Sequence, residues 1–323
     1  MKAVLCKQWG PPESLVVEEL PSPVPGPGQV VVSIKAAGVN YPDALVVQGK
    51  HQYKPTLPFR LGSELSGIIK AIGPDVSRFT VGQRVFGGGG VRGGFAEEMA
   101  IDAAKLHPMP ETLSFEEAAS IPITYNCSYY ALVSQAKLKA GETVLVLGAA
   151  GGVGIAAVQI AKALGAQVIA AASSEEKLAV CKASGADILI NYKADNLREQ
   201  LRTLCPQGVD VVYDPVGGAY AEMSLRALAW RGRYLVIGFA DGIPKIPLNL
   251  VLLKNALVIG IFQGEMMARE PEHARECEEG LVRLLQGGRI HPHVSARYRL
   301  DQVPAALNDL LERKATGKLV VTP

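Results

Sequence analysis

The stretch Val144-Leu145-Val146-Leu147-Gly148-Ala149-Ala150-Gly151-Gly152-Val153-Gly154 constrains this chain more than any other. An apolar run ends in a glycine-rich turn. The turn opens directly into a helical pattern over 152–164 with small residues on one side. Glycines let backbone approach a phosphate, and a helix start offers unpaired N–H groups and the positive end of its dipole. The usual Gly-x-Gly-x-x-Gly spacing is altered to Ala149-x-Gly151-x-x-Gly154, with additional glycines at Gly148 and Gly152. Glycine-rich turns also join strands to helices for steric reasons alone. Here a strand over 143–147 precedes the turn and a second strand over 166–170 follows the helix, which is the context of a dinucleotide site. Gly148, Ala149, Ala150, Gly151, Gly152, Val153 and Gly154 are therefore expected to line a pyrophosphate.

The pattern around this turn is α/β. Ser114-Phe115-Glu116-Glu117 reads as a helix N-cap with Glu at the third helical position. Beyond it, a helix is expected over 174–184, and strands over 187–190, 209–213, 233–237 and 257–261. Nearly continuous apolar strands alternating with helices predict a doubly wound parallel sheet with its ligand at the C-terminal strand ends. The first 120 residues differ: short strand candidates at 30–34, 67–72 and 84–86 are separated by Pro/Gly turns, which predicts a barrel-like β domain. No helical pattern follows the four glycines at 87–90, so a flexible hairpin is expected there. The tail after Gln263 holds a helix over 272–285, the segment 292–300, a helix from Val303 and a strand over 318–321. It is too short to be a domain alone, and is expected to complete the β domain. The sheet domain, 123–263, then reads as an insertion in a β domain made of 1–122 plus 264–323.

The end of the second strand bears on the choice of nucleotide. A carboxylate about 20 residues beyond the glycines would bond a ribose 2′-hydroxyl and repel a 2′-phosphate. That place reads Ala171-Ala172-Ser173-Ser174, with Lys177 one turn into the next helix. Two hydroxyls and an ammonium favour the 2′-phosphate of NADP(H). Ser174 also reads as an N-cap and Lys177 as a solvated helix residue, and both roles are compatible. Glu175 and Glu176 weaken the electrostatic argument. Tyr192, after the third strand, either flanks the adenosine or is an ordinary strand-end aromatic.

Other classes are disfavoured. The formal net charge is +2 over 323 residues, with no basic stripe for nucleic acid. No apolar run approaches the ~18 residues of a membrane span, and the N-terminus has no signal-peptide core, so a cytoplasmic protein is expected. Cys6, Cys127, Cys181, Cys205 and Cys277 are scattered and never spaced as Cys-x-x-Cys, which argues against a disulfide framework or a zinc knot.

Seven ordered segments resemble the quinone oxidoreductase (zeta-crystallin-like) branch of the zinc-independent medium-chain dehydrogenase/reductases. They are Ala37–Asp43, Leu61–Gly67, Val81–Val85, Gly93–Glu97, Ala149–Gly154, Ile190–Tyr192 and Val212–Gly218. The resemblance covers essentially the whole length. It implies a Rossmann sheet inserted in a GroES-like β-barrel catalytic domain, NADP(H) as cofactor, and commonly a homodimer. Zinc-using relatives carry Cys where this chain has Asn40, and Gly-His-Glu where it has Gly62-Ser63-Glu64. Without that thiolate and imidazole no metal is expected, and Glu64 is left as a structural acid. The resemblance also places Asn40 near the nicotinamide ribose and Tyr129 or Tyr130 near the cofactor. Ser173, Lys177 and Tyr192 would hold the 2′-phosphate and adenosine ribose, while Gly238, Phe239, Phe262 and Gln263 would edge the nicotinamide. Lys318 falls near where relatives place a cation toward the phosphates, although a solvated lysine explains it equally well. Tyr41 and Tyr53 either line the substrate pocket or serve as core or lid.

The reaction so implied is hydride transfer from NADPH to a quinone, or alternatively to the β-carbon of an enone. The cofactor carries the hard chemistry and the protein aligns the partners. Charge gained on the acceptor oxygen calls for a hydrogen-bond donor. Asn40 and Tyr53 are the candidates, and no catalytic acid stands out. A non-catalytic NADPH-binding protein is the rival of another class.

Overall fold

The computed structural model describes residues 1–88, 93–194 and 196–323. Two compact units form, one from Met1–Ile123 with Pro292–Pro323, the other from Thr124–His291.

The second unit is built on a six-stranded parallel sheet. Its strands run Ile188–Asn191, Gln167–Ala172, Thr143–Leu147, Val209–Asp214, Leu228–Val236 and Leu257–Gly260 across the sheet. Strand order therefore reverses between Thr143–Leu147 and Val209–Asp214, and ligands of doubly wound sheets bind at the carboxyl ends around such a reversal. Val144 to Leu147 are fully buried, as expected for strands covered on both faces. Helix Gly152–Ala163 follows the glycine turn and is buried along most of its length. Leu228–Val236 begins earlier than its apolar pattern indicates, because Leu228 pairs with Val209 before the register shifts ahead of Arg233.

The chain leaves this unit at His291, not after Gln263 as the length of the tail led one to expect. Helices Gln263–Arg269 and Pro271–Gln286 belong to the second unit. Two contacts explain this. A Cβ on Gly280 would meet the Tyr129 hydroxyl at 2.1 Å, so helix Pro271–Gln286 lies directly on that ring. Gln159, from the helix after the glycine turn, binds the His291 carbonyl at 2.7 Å and accepts its N–H at 3.0 Å.

The first unit holds a mainly antiparallel seven-stranded sheet around the long strand Gln29–Val39, which pairs with Glu64–Ile72, Glu98–Asp102 and Lys318–Val321. A three-stranded sheet, Val16–Glu19, Lys2–Cys6 and Phe59–Arg60, completes it. One core, including Val30, Val32, Leu65, Phe95, Leu106, Val303, Leu307 and Leu319, lies between these elements. The C-terminal tail thus returns to the β domain as expected, but only from Pro292. Ser114 caps helix Phe115–Ala119, accepting the Glu117 N–H at 3.2 Å while Glu117 accepts the Ser114 N–H at 2.8 Å. Of the expected glycine hairpin, Gly87 and Gly88 end strand Arg84–Gly88 and pair with Leu65 and Glu64. Gly89 and Gly90 lie outside the described residues.

Candidate functional site

The glycine turn has the geometry of an anion cradle. Gly148 is in the left-handed region (φ +55°). Gly154 has no room for a side chain: a Cβ would meet the Gly148 carbonyl at 2.4 Å and the Ala149 Cα at 2.7 Å. The helix therefore packs tightly on the turn. Gly151 is the N-cap, with no side chain to occupy the first-turn N–H groups. A Cβ there would touch only the Gly148 carbonyl at 3.4 Å. Gly151, Gly152 and Val153 are half-exposed, whereas Ala149 and Ala150 are buried. A short backbone run open to a ligand, over a close-packed base, fits a pyrophosphate.

A buried chain of hydroxyls supports the turn from below. The Ser128 Oγ lies 3.1 Å from the Val153 carbonyl and 2.9 Å from both the Thr124 carbonyl and the Tyr213 hydroxyl. Nothing in the sequence spacing points to Ser128, because its partners come from two distant elements.

Ser174 caps helix Glu175–Ala183, accepting the Lys177 N–H at 3.4 Å. Ser173 and Lys177 are half-exposed beside it. The Glu175 carboxylate is engaged by Asn191 Nδ2 at 2.9 Å. The Glu176 carboxyl is held below its usual range by a hydrogen bond to Ser174, so this carboxylate lies beside a predicted 2′-phosphate ligand. Tyr192 packs against Tyr220, with ring centroids 4.6 Å apart. The two rings are tilted by 50° to each other.

At the end of the fourth strand, burial pushes the Asp214 carboxyl upward. Asp214 Oδ1 accepts the N–H groups of Val216 and Gly217 at 2.7 and 2.8 Å, and the Tyr234 hydroxyl donates to its other oxygen. The carboxylate thereby fixes the turn beyond the strand. The Gly238 N–H reaches the Asp214 carbonyl at 3.3 Å, which brings this segment beside the same strand end. Phe239 and Phe262 are exposed at 45% and 57%, while Gln263 is buried and its Nε2 contacts Met267 Sδ at 3.6 Å. Tyr129 lies on Gly280, and the Tyr130 ring meets His273 edge-on at 6.0 Å. Both rings anchor helix Pro271–Gln286.

The first unit contributes a buried polar cluster. Strand Lys318–Val321 is antiparallel to Gln29–Val39, with Leu319 opposite Val39, so Lys318 comes level with Asn40. The Lys318 ammonium lies 2.5 Å from both Asn40 Oδ1 and Glu64 Oε1, with its side chain only 4% exposed and that of Glu64 fully buried. Asn40 Nδ2 donates to Glu64 Oε1 at 2.8 Å and faces the Gly38 carbonyl at 3.5 Å. The Ile123 N–H reaches Glu64 Oε2 at 2.8 Å. Gly38 makes this possible, since a Cβ there would meet Glu64 Oε1 at 2.1 Å.

The cluster bears on three expectations from the sequence. Lys318 is buried and not solvated, and its ammonium pairs with Glu64. Within the unit, the Asn40 amide oxygen accepts from Lys318 and its Nδ2 donates to Glu64. Glu64 is a structural acid as expected, but its counter-ion comes from the last strand. Tyr41 opens helix Tyr41–Val47 and is half-exposed, and Tyr53 is 48% exposed.

At the positions of the zinc ligands of relatives, the donors are an amide, a hydroxyl and a carboxylate already paired with an ammonium. A divalent cation would meet that positive charge and lacks its soft ligands, so these residues do not fit zinc.

The parallel sheet with its glycine turn, combined with the β-rich unit, defines a nucleotide-dependent oxidoreductase of two-unit architecture. The zinc-binding dehydrogenase family matches residues 152–285, and the alcohol dehydrogenase GroES-like domain matches residues 26–111. The chain belongs to the medium-chain dehydrogenase/reductase family, among its quinone-oxidoreductase-like members. It is 40% identical to quinone oxidoreductase-like protein 2 of Bos taurus, over 99% of this chain and 92% of that one. A probable oxidoreductase from Mycobacterium abscessus superposes with a TM-score of 0.91 at 37% identity, covering 100% of this chain and 99% of the other. Escherichia coli quinone oxidoreductase, solved with NADPH, superposes at 0.90 with 29% identity and full coverage of both chains.

Proposed function

We propose that this oxidoreductase transfers reducing equivalents from NADPH to quinones without zinc. The observation that carries the reading is the open glycine turn followed, at the next strand end, by Ser173, Ser174 and Lys177, with no carboxylate before Glu175 and Glu176 of the following helix. When bound, NADPH supplies a hydride. Gly151, Gly152 and Val153 would hold its pyrophosphate, and Ser173 with Lys177 its 2′-phosphate. The exposed rings of Phe239 and Phe262 offer apolar surface for a flat ring. The NADPH in the Escherichia coli relative supports the cofactor, and the name of the bovine relative supports the acceptor class. Lys318 supports zinc independence by supplying the positive charge beside Glu64.

The test is NADPH oxidation with 1,4-benzoquinone and with a short enone, with NADH in parallel. Turnover with NADPH on the quinone is expected. Preference for the enone would make the enzyme a C=C reductase. Equal use of NADH would refute the 2′-phosphate argument, and NADPH binding without turnover would favour a non-catalytic binder.

The active form is proposed to be a homodimer in the cytoplasm. Leu257–Gly260 is the outer strand of the parallel sheet, with Leu257 and Val258 exposed at 56% and 38%. Leu248, Leu252, Leu253 and Trp230, all more than half exposed, extend the apolar surface of the same unit. An unpaired apolar edge of this kind favours pairing with a second copy. Light scattering is expected to give twice the chain mass for the native protein. The free cysteines Cys6, Cys127, Cys181, Cys205 and Cys277 suit a reducing compartment. Among the described residues no helix is long and apolar enough to cross a membrane.

A further inference from the structure

The helix that opens at the glycine turn starts with a set of backbone donors. Its N-cap, Gly151, gives its own N–H to the Gly148 carbonyl at 3.0 Å. The N–H groups of Gly152, Val153 and Gly154 follow, and a helix leaves such groups without intrahelical partners. The Gly154 N–H belongs to the same peptide group as the Val153 carbonyl. That carbonyl is the one the Ser128 hydroxyl reaches, at 3.1 Å.

The direction of the bonds follows from what each atom can do. Ser128 Oγ also lies 2.9 Å from the Thr124 carbonyl and 2.9 Å from the Tyr213 hydroxyl. Carbonyl oxygens only accept. If Ser128 gave its proton to Tyr213, its lone pairs would face both carbonyls. The Ser128 proton therefore goes to the carbonyl side, shared between Thr124 and Val153 in a three-centred bond. The Tyr213 O–H is then the donor to Ser128. Both side chains are fully buried, so bulk solvent does not compete for these bonds.

We propose that Tyr213 and Ser128 form a hydrogen-bond relay that sharpens the Gly154 N–H as a donor to the cofactor's pyrophosphate. This rests on the NADPH reading above. Tyr213 donates to Ser128, and Ser128 donates to the Val153 carbonyl. A carbonyl that accepts draws electron density from its peptide nitrogen, so the Gly154 N–H becomes more positive. Hydrogen bonds in such a chain strengthen one another by about 10–30% each. The same contact fixes the peptide plane that carries this N–H. Ser128, Val153, Gly154 and Tyr213 all belong to the second unit. Ser128 and Tyr213 act through the backbone and are positioning residues.

The relay works only while its members keep their protons. Burial pushes the Tyr213 phenol well above its ordinary range. The neighbouring Cys127 thiol, which faces Tyr213, is pushed up to about 12. It stays an S–H, able to donate to the Tyr213 oxygen.

Two variants test the relay, Ser128→Ala and Tyr213→Phe, each removing one hydroxyl. Calorimetric titration should show NADPH and ADP-ribose bound about two- to ten-fold more weakly by Ser128→Ala, the net worth of one hydrogen bond. Tyr213→Phe should lose less, because it acts one bond further away. 2′-AMP carries the 2′-phosphate without a pyrophosphate, and both variants should bind it as wild type does. Amide spectra read the relay with no ligand present. The chain has three Val–Gly pairs, Val81-Gly82, Val153-Gly154 and Val216-Gly217, so isotopic labelling of valine carbonyls and glycine nitrogens isolates the Gly154 amide. Its signal should move upfield in both variants, while that of Gly82, in the first unit, stays.

Unchanged NADPH and ADP-ribose binding in both variants, or a Gly154 amide that does not move, would overturn the relay and leave the oxidoreductase reading standing. So would a parallel loss of 2′-AMP binding, which marks a loosened unit. Wild type that binds neither NADPH nor ADP-ribose would refute the cofactor reading, and the relay would fall with it.

Discussion

Replacing Lys318 with Met should destabilise the first unit by about 3–5 kcal/mol, the usual cost of leaving one member of a buried ion pair alone. The structure places this variant toward the upper part of that range. The Lys318 ammonium lies 2.5 Å from Glu64 Oε1, with its side chain 4% exposed and that of Glu64 fully buried. In the variant, Glu64 keeps the N–H groups of Asn40 and Ile123 but has no positive charge beside it and no route to water. Asn40 Oδ1 loses its donor at the same time. The chain's two tryptophans allow the loss to be localised. Trp9 lies in the first unit, its ring tilted against that of Phe59 at 5.6 Å, and Trp230 lies in the second, 68% exposed. In a Trp230→Phe background, urea unfolding followed by Trp9 fluorescence reads the first unit alone. Removing both charges should cost less than the sum of the two single changes, because no buried ion is then left unpaired. The Lys318→Met, Glu64→Gln double variant should accordingly regain part of the loss. The reasoning is refuted if Lys318→Met loses under about 1 kcal/mol, the level of an exposed pair, or if the double variant is as unstable as the sum.

Three other outcomes follow from the geometry. Gly154→Ala puts a Cβ 2.4 Å from the Gly148 carbonyl; overpacking of this kind costs about 1–3 kcal/mol, and a shifted turn should weaken NADPH binding about ten-fold or more in fluorescence titration. Lys177→Glu sets a carboxylate in the proposed 2′-phosphate site, and the ratio of kcat/KM for NADPH over NADH should fall by about ten-fold or more; an unchanged ratio would remove Lys177 from the site. Burial pushes the Asp43 carboxyl, 2% exposed, up from 3.8 to about 6, a gap of about 3 kcal/mol at 1.36 kcal/mol per pH unit. Because the folded value is the higher one, this contribution to stability is complete below about pH 4 and is lost as pH rises through about 6. Subtracting the Asp43→Asn stability curve from that of wild type should reveal this slope, and a flat difference would contradict the burial argument.

The parts that could be read from the chain are those with local causes. The strand–turn–helix around Gly148 to Gly154, the Ser114 capping box and the alternation of apolar strands with helices depend on neighbours a few residues apart. Those appear in the structure with small changes of boundary. The second unit runs on to His291, past the limit that tail length suggests, because helix Pro271–Gln286 is held by Tyr129 and Tyr130, far away in sequence. Asp43 belonged to a motif of the family resemblance without a role of its own. Its position three residues after Asn40 was the available signal for a cap, which it forms by accepting the Asn40 N–H at 2.9 Å, but its burial depends on packing.

The sequence by itself determined the glycine turn between a strand and a helix, since that is a matter of residue type and short spacing. Only the tertiary structure decided the partners of Asn40 and Glu64. Pairing of Lys318–Val321 with Gln29–Val39 brings an ammonium from the far end of the chain onto Asn40 and Glu64. A lysine that reads as solvated thereby becomes a buried counter-ion, because charge and burial are set by which strands pair and not by the residues on either side.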